Sequence, residues 1–396
     1  MYVTDDEEIQ ILKSLIESQE LFRFKGKNIP SQCSLFEDEL SLYLGTKHSL
    51  ILTSGTNALV LALQALKIGP GDEVIVPSFT FFATIAAVVQ VQAIPIIANI
   101  DSSLTIDPNE CERLITLKTK AIIPVHMDGL PCAMTEILTL AKKYNLAVIE
   151  DVAQAMGGEF KGQKLGTLGD YGCFSFNMDK TLSCGEGGAI VTSHAEEFKR
   201  VQLAHDTCSQ FGATWRENFT PSDCFIGYSM RVSELSGGMM RAQLKKADLI
   251  LKKLRTSKKL LIEKLESANI DYIKAHCPLG DCGTSLHLKF EDAKQAILFS
   301  KKMMEQEVTT IPISIRPAHA VWQWIHLLRE EKFIHPKLNP FLHSDRKPKE
   351  LYHQMNYLAT TEYLTTTTKI PIPFKFETAQ IEQLAEKIIK TRQLLN

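Results

Sequence analysis

Between residues 49 and 151 the chain alternates short, mostly apolar runs with stretches whose apolar residues recur every three to four positions. The runs are 49–53, 73–77, 94–98, 121–125 and 147–149, the last closing on Glu150-Asp151. The stretches between them, 56–66, 80–91, 108–114 and 133–144, carry helical spacing. Strands apolar on both sides belong to a parallel sheet covered by helices on both faces. The pattern therefore predicts an α/β fold with a mostly parallel central sheet. Ahead of it, residues 6–20 read as an amphipathic helix with Ile9, Ile11, Leu12, Leu15 and Ile16 apolar. A loop around 26–30 separates that helix from a second near 33–44, which stops at Gly45.

Beyond residue 245 the rhythm changes. Residues 241–266 predict one long basic helix with Leu244, Leu249, Leu251, Leu254, Leu261 and Leu265 as its apolar side. Strands near 286–290 and 370–373 and helices over 291–306 and 376–394 then suggest a smaller α+β unit. The expected division is a large domain over 1–245, with its helical N-terminal segment, and a small domain over 246–396.

Composition narrows the classes. At 396 residues the chain exceeds one small core, and 44% apolar with 23% charged residues suits a globular enzyme. A net charge of −2 gives no global field for nucleic acid or an anionic membrane. The lysines at 245, 246, 252, 253, 258 and 259 read as a solvated helix face, because no aromatics interleave them. The nine cysteines are scattered without a Cys-x-x-Cys pair, and His276-Cys277 with Cys282 lacks zinc spacing, so no metal site is expected. The acidic start and the lack of a run of roughly 20 apolar residues point to a reduced, cytoplasmic protein with no membrane partner.

Ligands of parallel sheets bind at the carboxyl ends of the strands. Ser54-Gly55-Thr56 stands there at a helix start, and Asp151 at a strand end. Pyridoxal phosphate makes four demands that this chain can meet in order. Its phosphate needs backbone N–H groups and hydroxyls, offered by Gly55, Thr56 and Ser175; a simple N-cap is the plainer use of Ser54. Its pyridine nitrogen needs a carboxylate, and Asp151 suits. Its ring needs a flat partner, and Phe81 or Phe82 follows a strand. Its aldehyde needs an amine of lowered pKa, and Lys180 lies between Phe174-Ser175-Phe176 and Gly185-Glu186-Gly187-Gly188.

Taken together these motifs resemble the DegT-type sugar aminotransferases, of the fold-type I pyridoxal-phosphate architecture. The resemblance runs over about residues 8–392. It is densest in Ser54-Gly55-Thr56-Asn57-Ala58-Leu59, Gly69-Pro70-Gly71-Asp72-Glu73-Val74, Pro77-Ser78-Phe79-Thr80-Phe81, Glu150-Asp151-Val152-Ala153-Gln154-Ala155 and Lys180 with the glycines after it. It implies that Lys180 holds the cofactor covalently and shuttles the proton, that Asp151 pairs with the pyridinium, and that Gln154 sits beside the ring hydroxyl. Phe81 would stack on the ring, while Gly55, Thr56 and Ser175 hold the phosphate.

The resemblance further implies a homodimer with shared active sites, in which Gly227-Tyr228-Ser229-Met230-Arg231 reaches the neighbour's cofactor. Ser229 replaces the family's usual Asn there, a shorter group for a phosphate contact, and Met156 replaces a residue often polar. A subset of the family has His in place of this lysine and dehydrates sugars; Lys180 points instead to amination, with glutamate or glutamine as donor and a keto or aldehyde sugar as acceptor.

Leu21-Phe22-Arg23-Phe24, Val125-His126-Met127-Asp128-Gly129, Ala204-His205-Asp206, Trp322, Trp324 and Asn339-Pro340 are similar to the branch acting on free keto sugars or cyclitols. An example is 8-oxo-3-deoxy-octulosonate, in surface polysaccharide or lipopolysaccharide synthesis. Nucleotide-linked 4- or 3-keto-6-deoxysugars are the alternative acceptors, and a dehydratase or a cofactor-binding sensor the alternative roles. His126 and His205 are candidate substrate contacts, though a structural role is the plainer reading of each.

Overall fold

A computed structural model describes residues 3–25, 29–207 and 224–395. Its centre is a seven-stranded sheet in the order β1-β9-β8-β5-β4-β2-β3. The strands are β1 His48–Leu52, β2 Glu73–Pro77, β3 Ile94–Ala98, β4 Thr119–Ile122, β5 Ala147–Asp151, β8 Tyr171–Ser175 and β9 Gly188–Thr192. A two-stranded hairpin, β6 Glu159–Phe160 and β7 Gln163–Lys164, lies between β5 and β8 in the chain. Neighbours pair in parallel from β3 through to β8; β9 alone runs against the rest and joins β8 to β1. This is the mostly parallel sheet that the apolar runs predict, and its members are buried along nearly their whole length.

The N-terminal helix Asp6–Ser18 starts on a capping box, with Asp5 accepting from Glu7 N–H at 2.9 Å and Glu8 from Asp5 N–H at 2.8 Å. The helix Gln32–Leu44 ends on left-handed Gly45, as its sequence predicts. Both pack on Glu234–Lys245. Glu234 is buried there, its carboxylate taking the N–H groups of Gln32 and Cys33 at 2.5 and 3.1 Å, a negative charge set at a helix N-terminus.

A second, antiparallel sheet has the order β10-β12-β11, with β10 Ser285–Lys289, β11 Ile311–Pro312 and β12 Thr367–Pro371. The helix Ala293–Met304 packs on it, and Thr378–Gln393 packs on that helix and on Ala247–Ser267. One buried apolar cluster runs from Phe36 and Leu50 through to Leu286, Ile370 and Ile388, so both sheets share a continuous core. Tyr352, fully buried, donates its hydroxyl to Pro95 O at 2.9 Å and covers edge strand β3.

Two expectations need correction. The helix expected over 80–91 begins only at Ala83. Residues 79–82 are drawn instead into pairing with the distant 318–320 segment: Thr80 N–H reaches His319 O at 3.0 Å and Phe82 N–H reaches Ala318 O at 3.0 Å. The single basic helix over 241–266 is two, Glu234–Lys245 and Ala247–Ser267, meeting at Lys246. Lys246 is fixed by Asp5 and Glu8, Lys258 is buried on Asp281, and Leu249 is exposed. The rest of the expected apolar side, Leu244, Leu251, Leu254, Leu261 and Leu265, is buried, with Ile250 in place of Leu249. Of the loop expected around 26–30, positions 26–28 lie outside the described residues. No helix among the described residues is long and apolar enough to cross a membrane.

Candidate active site

The carboxyl ends of β1, β5 and β8 converge. Ser54 caps the helix Gly55–Ala65, its hydroxyl accepting from Asn57 N–H at 3.1 Å; the plain N-cap reading of Ser54 is therefore right. Gly55 opens that helix against the end of β8. A Cβ built on it would stand 2.9 Å from Ser175 Cβ and 3.2 Å from Phe174 O, and one on Gly188 would fall 2.4 Å from Ser54 C. Only glycine permits this approach. It brings the free N–H groups of a helix N-terminus beside the Ser175 hydroxyl, with half-buried Thr56 next in line. Such a cradle binds phosphate through backbone N–H groups and the helix dipole.

Asp151 closes β5 and is buried. Its Oδ2 accepts from Thr84 Oγ1 at 2.8 Å and its Oδ1 from Ala153 N–H at 3.1 Å, both neutral donors. Burial raises its pKa, opposed by those two hydrogen bonds and by the charge of Lys180. An ionised carboxylate held this way gains from a cationic partner such as a protonated ring nitrogen. Lys180 follows the turn after β8, its N–H bonded to Asn177 O at 3.1 Å. Burial lowers its pKa, Asp151 works against that, and Arg316 adds to it. Lys180 and Asp151 thus lie within each other's field. Phe81 is 49% exposed, with its ring 5.4 Å from that of His319; Phe82 packs beside Trp324. Burial, with Arg316 nearby, pushes His319 down to about 4, so it is neutral at pH 7.

Gln154 lies beside a group that the spacing of motifs did not reveal. Its Oε1 accepts from Asp128 N–H at 3.2 Å and from Arg316 Nη2 at 3.4 Å. Asp128 sits in the left-handed region (φ 54°) past the end of β4, its side chain buried. Its carboxylate takes Arg316 Nη1 at 2.8 and 2.9 Å, His287 Nε2 at 3.0 Å, and Lys369 Nζ. Burial raises its pKa, but the charges of Arg316 and Lys369 and the His287 hydrogen bond hold it well below the usual carboxylate range. Asp128 obeys the same strand-end rule as Asp151, and that was the available signal. Its partners at 287, 316 and 369 come from far along the chain with no shared periodicity.

Two histidines prove structural. His126 is fully buried, with Nδ1 accepting from Cys132 N–H at 3.1 Å and Nε2 facing Glu150 Oε2 at 3.1 Å. Glu150 also takes the N–H groups of Gly166, Leu168 and Gly169 at 2.7–2.9 Å, bracing the strand end that carries Asp151. His205 is fully buried with Nδ1 2.9 Å from Gln202 O, and burial takes it to about 3. Ser229 is exposed; its neighbours Tyr228 and Met230 bond to Ala204 O and His205 O at 2.7 and 3.0 Å. Met156 is buried in the core.

The residues present fit pyridoxal phosphate: a glycine-lined helix start for the phosphate, a buried carboxylate with neutral donors for the ring nitrogen, and a partly buried amine of lowered pKa for the aldehyde. The chain belongs to the DegT/DnrJ/EryC1/StrS aminotransferase family, whose pattern matches residues 3–336. It is 43% identical over 217 residues to the UDP-N-acetyl-3-dehydro-alpha-D-glucosamine 3-aminotransferase of Acidithiobacillus ferrooxidans, covering 54% of this chain and 56% of that one. It is 39% identical over 214 residues to the GDP-perosamine synthase of Caulobacter vibrioides, with the same coverages. These matches span a little over half of each relative's length. Across 99% of this chain and 98% of the other, the fold superposes on the aminotransferase from Psychrobacter cryohalolentis with a TM-score of 0.82 at 23% identity.

Proposed function

We propose that this protein is a pyridoxal-phosphate-dependent aminotransferase that moves an amino group from glutamate or glutamine to a keto or aldehyde sugar in amino-sugar synthesis. The observation that carries it is the convergence of Lys180, Asp151 and the Gly55–Ser175 cradle at the carboxyl ends of three strands. When bound, pyridoxal phosphate supplies an aldehyde to take up nitrogen and a protonated ring to accept an electron pair. Asp151 holds the proton on the ring nitrogen. Gly55, Thr56 and Ser175 would anchor the phosphate, Phe81 would stack on the ring, and Gln154 would sit beside its hydroxyl. Lys180 Nζ would hold the aldehyde of the cofactor and, when free, serve as the group that moves a proton; its lowered pKa leaves more of it neutral for both roles.

The acceptor has two readings. The segments around Arg23, His126 and His205 favour a free keto sugar such as 8-oxo-3-deoxy-octulosonate. The names of the two relatives, carrying UDP- and GDP-linked sugars, favour a nucleotide-linked one. Residues 1–245 serve as the cofactor domain and 246–396 as the smaller domain. A cytoplasmic homodimer would place Ser229 at the neighbour's phosphate, and exposed Ile226 and Tyr228 on the same segment support an interface there.

The experiment is spectroscopic. Protein loaded with pyridoxal phosphate should show a visible absorption band that glutamate or glutamine bleaches. A panel of keto sugars, free and nucleotide-linked, is then scored for restoring it. A band that no amino donor changes, with water lost from the sugar, would point to a dehydratase.

A further inference from the structure

Resting on the proposed aminotransferase reading, we propose that Arg316 and Lys369, locked in place by Asp128, form a subsite for an anionic group of the substrate, a carboxylate or a phosphoryl group. Both cations are largely buried, with side chains 15% and 12% exposed. Asp128 is the carboxylate they share, bonded to Nη1 of Arg316 and Nζ of Lys369. His287, also on Asp128, is kept from charging by its burial. Asp128 is one carboxylate against the Arg316 guanidinium and the Lys369 ammonium. Burial works against the charge on Lys369 and Asp128 supports it, and with both charged one positive charge is in excess in a poorly solvated place. A buried charge without a counterion is costly, and a bound anion removes that cost.

The cluster faces the site. Arg316 Nη2 reaches Gln154 Oε1 at 3.4 Å. The Lys180 amine lies in the field of both Arg316 and Asp128, and Lys369 in that of Lys180. Asp128 takes only one side of the guanidinium, and the planar fork retains donors for a second anion.

The excess charge bears on the acceptor as well as the donor. Both half-reactions use Lys180 in turn, so the cations that meet the donor's carboxylate are still there when the sugar enters. A neutral sugar would leave them uncompensated; an acidic or phosphorylated one would not. The geometry therefore favours acceptors that carry a negative charge into this site.

Glutarate, a dicarboxylate with neither amine nor ketone, tests the subsite without turnover. Its affinity, and that of inorganic phosphate, is measured by isothermal titration of the cofactor-loaded protein, while the visible band reports cofactor occupancy. Glutarate or phosphate should bind, and whichever binds more tightly names the anion. That affinity should fall about 10- to 100-fold in Arg316→Gln, the scale of a charged hydrogen bond, and less in Lys369→Gln, with occupancy unchanged. If Arg316→Gln does not fold, Arg316→Lys is scored instead, with a fall of several-fold expected. Affinities within twofold of the parent in the folded variants overturn the subsite, as does a matching loss of cofactor, which would assign the cations to the cofactor. The outcomes stay separable: a parent protein with no glutamate-bleached band sinks the aminotransferase reading, whereas a bleached band with unchanged glutarate affinity sinks only this one.

Discussion

At Gly55 a single hydrogen stands where any other residue would place a carbon 2.9 Å from Ser175 Cβ. Gly55→Ala must push the helix start off the end of β8, an overpacking worth about 1–3 kcal/mol. Dialysis of the loaded variant should show faster cofactor loss with secondary structure retained. Thr84→Val acts on the other pole of the site by removing the hydroxyl bonded to Asp151 Oδ2. Hydrogen bonds to a charged group are worth about 1.5–3 kcal/mol, so cofactor affinity by fluorescence titration should weaken about tenfold or more. At this scale the places of Gly55 and Asp151 at strand ends, and of Lys180 just past β8, were legible in the sequence, because each lies next to a strand end or a glycine run in a contiguous motif. Thr84 was not. It sits in a helix whose start is displaced to Ala83, and it meets Asp151 across 67 residues of chain, which no local pattern encodes.

Among the elements, Asp128 has the widest reach, joining the turn after β4 to β10 through His287 and to β12 through Lys369. Removing its charge leaves the cations buried and unpaired, so Asp128→Asn should cost about 3–5 kcal/mol in denaturant unfolding. The pH dependence has a definite sign. The folded-state pKa of Asp128 is depressed, so its contribution is fully present above the unfolded value of about 3.9 and is lost as pH falls through the folded value. Below about pH 4 the parent should lose stability more steeply than Asp128→Asn; parallel acid-unfolding curves would refute the assignment. Most of the strands and helices expected were placed to within a few residues, because continuous apolar runs mark strands buried on both faces and 3.6-residue spacing marks helices with one face to the core. The split at Lys246 was not. Its side chain is fixed by Asp5 and Glu8 from the far end of the chain, and charge pattern alone suggested a solvated face.

For the whole molecule, the mostly parallel sheet with β9 reversed and the family match over residues 3–336 agree on one architecture. If the active sites are shared, native mass measurement should give twice the 44.4 kDa chain, and Ser229→Asn should hold the cofactor at least as tightly as the parent. A monomer that keeps full cofactor affinity would remove Ser229 from the site. The acceptor sugar was not settled by the sequence, because side chains from distant positions, such as Arg316 and Lys369 on Asp128, are brought together only by the fold. The central claim rests on Lys180 and is tested most directly by borohydride reduction of the pyridoxal-phosphate-loaded protein, followed by mass analysis of its peptides. The cofactor should be found fixed to Lys180, with no fixation in Lys180→Ala. Fixation to another lysine, or trapping undiminished in Lys180→Ala, would contradict the account.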